Sequence, residues 1–394
     1  MHISERNDKY KMSIVNSKIK YPLLPFAQFI YDSMHWMPWA FKYKIKLRTK
    51  AFPLAEAEDI ARRIIENHPV FQSRIDWRGR QYACNVKNQF QSPYFKLKMW
   101  QEGDWLYIQI AFNILLGDGY SIYLFAEDLL RACKGEKLEE DHYWNYVARY
   151  EQRKSEPHYI ASREWLIHEF ADDSIPVRPT IDRRWLHTFI PSKVGLYVKD
   201  YTDLHDKLSQ FQIENVISYE GIFSLCTALA IAEYCGTDEA ALTWAYSGRE
   251  TIEEQHIFGS LHRDVPFQIK NIKYQISNLK SDLIREARNQ IRSGIAHSDY
   301  PYTLTAPYQN RWNYAVNVLR VPDIAMLVDN FPIPIELLSM PKQKFAYALL
   351  DVEIIENINT LRLQFRYSCT NYKPESIRRF AAMVRKYAEW LLEE

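Results

Sequence analysis

The side chains with the clearest chemical potential sit in Phe112-Asn113-Ile114-Leu115-Leu116-Gly117-Asp118-Gly119-Tyr120-Ser121. The apolar run Trp105 to Ala111 before this stretch reads as a strand entering a core. Ile122 to Leu130 after it has helical apolar spacing. A strand, a Gly-Asp-Gly corner and a helix present side chains into a cleft. Asp118 offers a carboxylate and Ser121 a hydroxyl, but Ser121 lies in no Gly-x-Ser-x-Gly elbow, which argues against a serine hydrolase. Asn113 can donate and accept hydrogen bonds without being a base near neutral pH, and Ile114 has neither a lone pair nor a titratable proton. His256 and His262 stand six residues apart, a spacing that suits neither one helical face nor a zinc pair.

The elements that must position this corner follow from composition and periodicity. With 394 residues, 47% of them apolar, the chain can bury a sizeable core and is expected to form two lobes. Its net charge of +1 gives no electrostatic argument for nucleic acid or an anionic membrane. Five scattered cysteines without a Cys-x-x-Cys pair suggest neither a zinc site nor a disulfide framework, and fit a reduced setting. Residues 1–20 are polar with no apolar signal region, and the apolar helix Ile222 to Cys235 is too short to span a bilayer, so a cytoplasmic protein is expected. Pro53 to Asn67 is predicted helical, Val70 to Trp77 and Gln81 to Val86 form a predicted hairpin, and Leu129 to Lys154 is predicted as one helix. His68, before Pro69, is expected to cap the helix end. The prolines in Asp172 to Pro179 break all periodicity, which puts a 1–20 arm, a 21–180 lobe and a 181–394 lobe in order. Tyr31, Trp36, Trp39, Phe41 and Tyr43 suit a hydrophobic channel, though a core or docking surface is the commoner use of such a cluster.

The corner resembles the His-His-x-x-x-Asp-Gly-x-Ser motif of nonribosomal peptide synthetase condensation domains. Asp118, Gly119 and Ser121 match it, while Asn113 and Ile114 stand at the two histidine places. Further segments match in order. They are Pro25 to Gln28, His68 to Ile75, Ser247-Gly248-Arg249, then Gly259 and Pro266 with Leu261 and Arg263 as departures, and His297 with Pro301-Tyr302.

The resemblance implies an α/β fold of two chloramphenicol-acetyltransferase-like lobes in a V, with a tunnel at their junction. Carrier proteins would dock at its ends, so the phosphopantetheine arm of a carrier brings substrate and no cofactor or metal is bound. The partner expected is a peptidyl or acyl carrier protein, or another biosynthetic enzyme, acting in trans; no nucleic acid or membrane is expected. In the family the second histidine helps the acceptor amine attack a thioester, so Ile114 leaves that place chemically silent, and a shift of register would bring Asn113 there instead. Asp118 is then structural, pairing with Arg249 and tying one lobe to the other, and Gly119 supplies a backbone angle closed to other residues. Ser121, His262 and Asn313 are candidate tunnel-lining residues, with His256 and His297 near the same junction segments. Two readings stay open: a noncatalytic recruitment or structural partner, and an acyl- or aminoacyltransferase that works by positioning alone.

Overall fold

The computed structural model describes residues 19–34, 42–84, 90–170, 175–182, 193–273, 280–304, 315–319, 335–339, 349–357 and 359–393. Trp36, Trp39, Phe41 and Asn313 lie outside the described residues, as does most of the 1–20 arm. The chain divides into two compact units. The first takes the described residues up to Lys154, Ser247–His262 and Ile335–Ser339; the second takes 155–246, 263–319 and 349–393. The division thus falls at Lys154 rather than near residue 180, and a stretch of the expected second lobe belongs to the first unit.

In the first unit, helix α1 (Pro25–Met34) precedes strand β1 (Lys42–Thr49) and helix α2 (Leu54–Asn67). Strands β2 (Phe95–Glu102) and β3 (Trp105–Asn113) form a hairpin, and helices α3 (Gly119–Cys133) and α4 (Tyr143–Arg153) follow. The antiparallel sheet runs Ile335–Ser339, β1, β3, β2, Gln91–Ser92. Strict alternation sorts its faces: Ile45, Leu47, Phe95, Leu97, Leu106, Ile108, Ile110 and Phe112 are buried, and their neighbours turn outward. The single helix expected over 129–154 is two helices, because Gly135 takes φ +74° and ends the first. The strand expected at Val70 begins only at Ser73, since Pro69 opens a 3-10 turn, Pro69–Gln72, that buries Val70 and Phe71.

The second unit holds helix α5 (Pro157–Glu169) and a six-stranded sheet. Its strands are β4 (Val194–Asp200), β5 (Ala240–Tyr246), β6 (Arg263–Ile269), β7 (Ala315–Leu319), β8 (Leu350–Asn357) and β9 (Thr360–Ser368). They lie in the order β6-β5-β7-β8-β9-β4, with β7 parallel to both neighbours. Helices α6 (Tyr219–Cys235), α7 (Lys280–Ala296) and α8 (Pro374–Leu392) supply its core, and α6 is apolar on every side because it is buried on every side. Among the described residues no single helix is long and apolar enough to cross a membrane.

A buried ionic clamp fixes the first unit around the corner. The His68 ring, at the end of α2 and 0% exposed, lies 2.8 Å from Asp128 of α3 and 2.7 Å from Asp141 before α4. It therefore does not cap α2; its backbone N–H does, reaching Ile64 O. Burial alone would lower the His68 pKa, but the two carboxylates outweigh it and raise it to about 9. A group raised above its ordinary 6.5 stabilises the fold fully below that pH and loses its contribution as pH rises through about 9. Urea unfolding should therefore show stability falling by about 3 kcal/mol from pH about 6 to pH about 10, a slope that His68→Gln should flatten. An unchanged slope in that variant would assign the pH dependence to other groups.

Candidate functional site

The corner is built by β3 stopping and α3 starting. At the end of the strand Asn113 donates its N–H to Tyr94 O (2.8 Å), and its side-chain Oδ1 accepts the N–H of Leu115 (2.9 Å), closing a short turn. Ile114 is 4% exposed and Asn113 1%. At the place where the resemblance puts a catalytic base there is therefore an aliphatic side chain, and the neighbouring carboxamide oxygen is engaged by the backbone. The expected role of Gly119 is not met: its φ is not positive and a Cβ there would touch nothing within 4 Å. The demanding glycine is Gly117, where a Cβ would fall 2.6 Å from Phe258 Cε1 and 2.9 Å from Ser121 Cβ.

Asp118 caps α3. Its Oδ1 accepts the Ser121 N–H at 3.0 Å, and its Oδ2 accepts the N–H groups of Leu261 (3.0 Å) and His262 (3.1 Å). Arg249 approaches with both terminal nitrogens, Nη1 to Oδ2 at 2.9 Å and Nη2 to Oδ1 at 3.2 Å. The same guanidinium donates to Ser247 O, Ile257 O and Gly259 O, and lies 4.4 Å from the centroid of the Tyr120 ring. Burial would raise the Asp118 pKa, but the Arg249 charge and these donors hold the carboxyl below its ordinary value. The ion pair expected between Asp118 and Arg249 is present, with one correction. Arg249 belongs to the first unit, so the pair holds that unit's own 247–262 segment onto α3 rather than tying two lobes together.

Ser121, expected to line a tunnel, is instead 0% exposed, with its hydroxyl bonded to Gly259 O (2.9 Å) and accepting the Gly259 N–H (3.1 Å). The His262 ring packs on Phe26 of α1, centroids 3.7 Å apart. His256 follows the short helix Ile252–Gln255 and is half-buried. His297 belongs to the second unit, where it stacks on Trp165 at 4.5 Å with Nδ1 3.3 Å from Ser162 Oγ; burial and neighbouring His158 lower its pKa. The corner thus gathers Asn113, Ile114, Asp118, Gly119, Ser121, Arg249 and the backbone of His262. The residues missed by sequence reasoning are Asp128 and Asp141. Asp128 does leave a signal, a carboxylate three residues after Phe125 on the buried side of a helix. The Asp118 carboxylate and the Ser121 hydroxyl are thus engaged within the corner, and the side chain at 114 is aliphatic.

Removing one partner of a buried ion pair strands the other's charge. Asp118→Asn should cost about 3–5 kcal/mol in urea unfolding, and the variant should lose the acid sensitivity the carboxylate confers. Since the Asp118 pKa is lowered from 3.8, its stabilisation is complete above that pH and is lost as pH falls through the folded value. A cost under about 1 kcal/mol would mean that Arg249 is hydrated or paired elsewhere.

The condensation domain family model matches residues 90–394. No curated protein matches the chain by sequence. By structure the chain is similar to the condensation domain of the Monacolin K polyketide synthase MokA, with TM-score 0.75 and 10% identity over 95% of this chain and 98% of that one. It is also similar to the EpoB cyclization-docking bidomain from Sorangium cellulosum (TM-score 0.75, 12% identity, 100% of this chain and 90% of that one). A third neighbour is the PapA2 acyl transferase (TM-score 0.73, 13% identity, 97% of this chain and 94% of that one). With a family match over most of its length and the two chloramphenicol-acetyltransferase-like lobes of that fold, the chain belongs to the condensation domain family.

Proposed function

We propose that this protein is a condensation-fold partner in nonribosomal peptide or related acyl-carrier biosynthesis that has given up the usual base catalysis. Its role on this reading is to recruit or hold a carrier protein or another biosynthetic enzyme in trans, with phosphopantetheine-borne acyl groups as the chemistry it meets. The observation that carries the reading is Ile114, an aliphatic residue at the place of the catalytic histidine, buried to 4% exposure. A positioned base contributes about 10²–10⁴ in rate, and isoleucine supplies none of it. The nearest substitutes support the same conclusion. Asn113 Oδ1 already accepts a backbone N–H, Asp118 accepts from Arg249 and three backbone N–H groups, and the Ser121 hydroxyl is bonded to Gly259.

The test pairs capture with turnover. Tagged protein drawn from its own host should retain a phosphopantetheinylated carrier or a tailoring enzyme, and Asn113→Ala should retain it equally. Incubated with an aminoacyl-carrier donor and a free amine acceptor, the protein should form product at the no-enzyme rate by mass spectrometry. Turnover above that rate, abolished by Asn113→Ala or His262→Ala, would overturn the reading in favour of a transferase that works by positioning.

A further inference from the structure

The outward face of the first unit's sheet carries a charge pattern separate from the corner. Lys44 and Lys96 flank Ala111 in one cross-strand row, and Lys46 and Lys98 flank Gln109 in the next. Strands lie about 4.8 Å apart and alternate residues about 7 Å apart, so the four ammonium stems rise from a rectangle of about 10 by 7 Å. The following row is Arg48, Tyr107 and Trp100. Lys44 and Lys98 are exposed, Lys46 and Lys96 half-buried, and none of the four has an ion pair among the described residues. The acids near them are already engaged: Glu336 binds Arg48, and Glu102 at the hairpin tip accepts from Trp100 Nε1. The whole chain has a net charge of only +1, so this excess belongs to the face and not to the composition.

The aromatic side chains decide which kind of anion the face fits. Trp100 and Tyr107 stack on each other, centroids 5.2 Å apart and 9° from parallel, and Lys46 sits 5.2 and 4.9 Å from their centroids. Arg48 and Lys50 lie 4.2 and 4.6 Å from that of Trp105. The half-buried rings therefore steady the cationic side chains, each with a cation over it. Single-stranded nucleic acid stacks its bases on free ring faces, and a base would have to displace these cations to do so. Unrelieved like charges in neighbouring positions repel one another, and carboxylates of a partner remove that repulsion. We infer that the Lys44–Lys46–Lys96–Lys98 face docks a protein partner through that partner's acidic side chains. The docked partner would lie along β3, the strand that ends at the corner.

The inference is tested on the full chain by fluorescence anisotropy with a labelled oligoglutamate peptide, an oligolysine peptide and single-stranded oligothymidylate as probes. The oligoglutamate should bind, weaken steeply with added salt, and lose at least about tenfold in affinity to Lys46→Glu/Lys98→Glu. Lys207→Glu, an exposed change in the second unit, should bind as the unaltered chain does. Lys98 and Lys207 are exposed and Lys46 is half-buried over the rings, so a cooperative melt of each variant is measured to establish that it folds. Absence of oligoglutamate binding, binding indifferent to the double reversal, or tighter binding of oligothymidylate than of oligoglutamate would each overturn the proposal.

Discussion

The buried pairing of Asp118 with Arg249 is the constraint on which the first unit depends. Taking a carboxylate and a guanidinium out of water costs several kcal/mol per ion, and the attraction between them offsets this only when every remaining donor and acceptor is satisfied. The carboxylate meets that condition, and the guanidinium meets it at Nη1 and Nη2 while its buried Nε has no partner. The carboxylate collects the Ser121 N–H, two N–H groups from Leu261 and His262, and the two terminal arginine nitrogens. The guanidinium reaches three carbonyls of its own segment. An apolar pair of the same volume would leave those buried N–H and C=O groups without partners, so the ion pair also specifies where an irregular loop must run.

The same logic extends to the second buried network. Phe258 N–H donates to Asp141, Gly259 N–H to Ser121 Oγ, and Leu261 and His262 N–H to Asp118. The Phe258–His262 stretch has no regular secondary structure until Arg263 opens β6, so its backbone donors need side-chain acceptors if they are to be buried. Asp141 in turn is fixed by His68, and Asp118 by Arg249. Each carboxylate is a bracket for the segment, and each bracket has a cation behind it. The Phe258 ring, seated over Gly117 and near His68 (5.3 Å), fills the space between them.

Much of this was legible in the sequence, and the limits are physical. Asp118 and Arg249 stand in recognisable motifs, and an Asp at the start of an apolar helix announces a cap, so that pair could be written down before any coordinates. The apolar run from Trp105 exposed β3 to reading, whereas β1, lysine-rich on its outward face, was not read as a strand. The unit boundary was hidden because two prolines without apolar periodicity mark irregular chain and not a change of unit, and because Ser247–His262 packs with residues more than a hundred positions earlier. His68 was misread for a related reason. A histidine before proline at a helix end looks like a cap locally, and only the fold brings Asp128 and Asp141, both distant in sequence, to its ring. Gly117 and Gly119 were exchanged in importance because neighbouring glycines look alike in sequence, whereas only one lies under Phe258.

The separation between scaffold and chemistry follows from where these interactions end. The buried polar contacts that hold Phe258–His262 pass through Asp118, Ser121 and Asp141, and an aliphatic side chain at 114 can make none of them. That position needs only to be compatible with burial, which isoleucine satisfies at less desolvation cost than a histidine would incur. The buried network thus uses Asp118 and Arg249 and takes no hydrogen bond from the side chain at 114. The outward lysine rows on β1 and β2 are independent of both networks, since alternation turns them away from the core that the networks support. Substitutions in those rows therefore leave the buried charges of the corner in place.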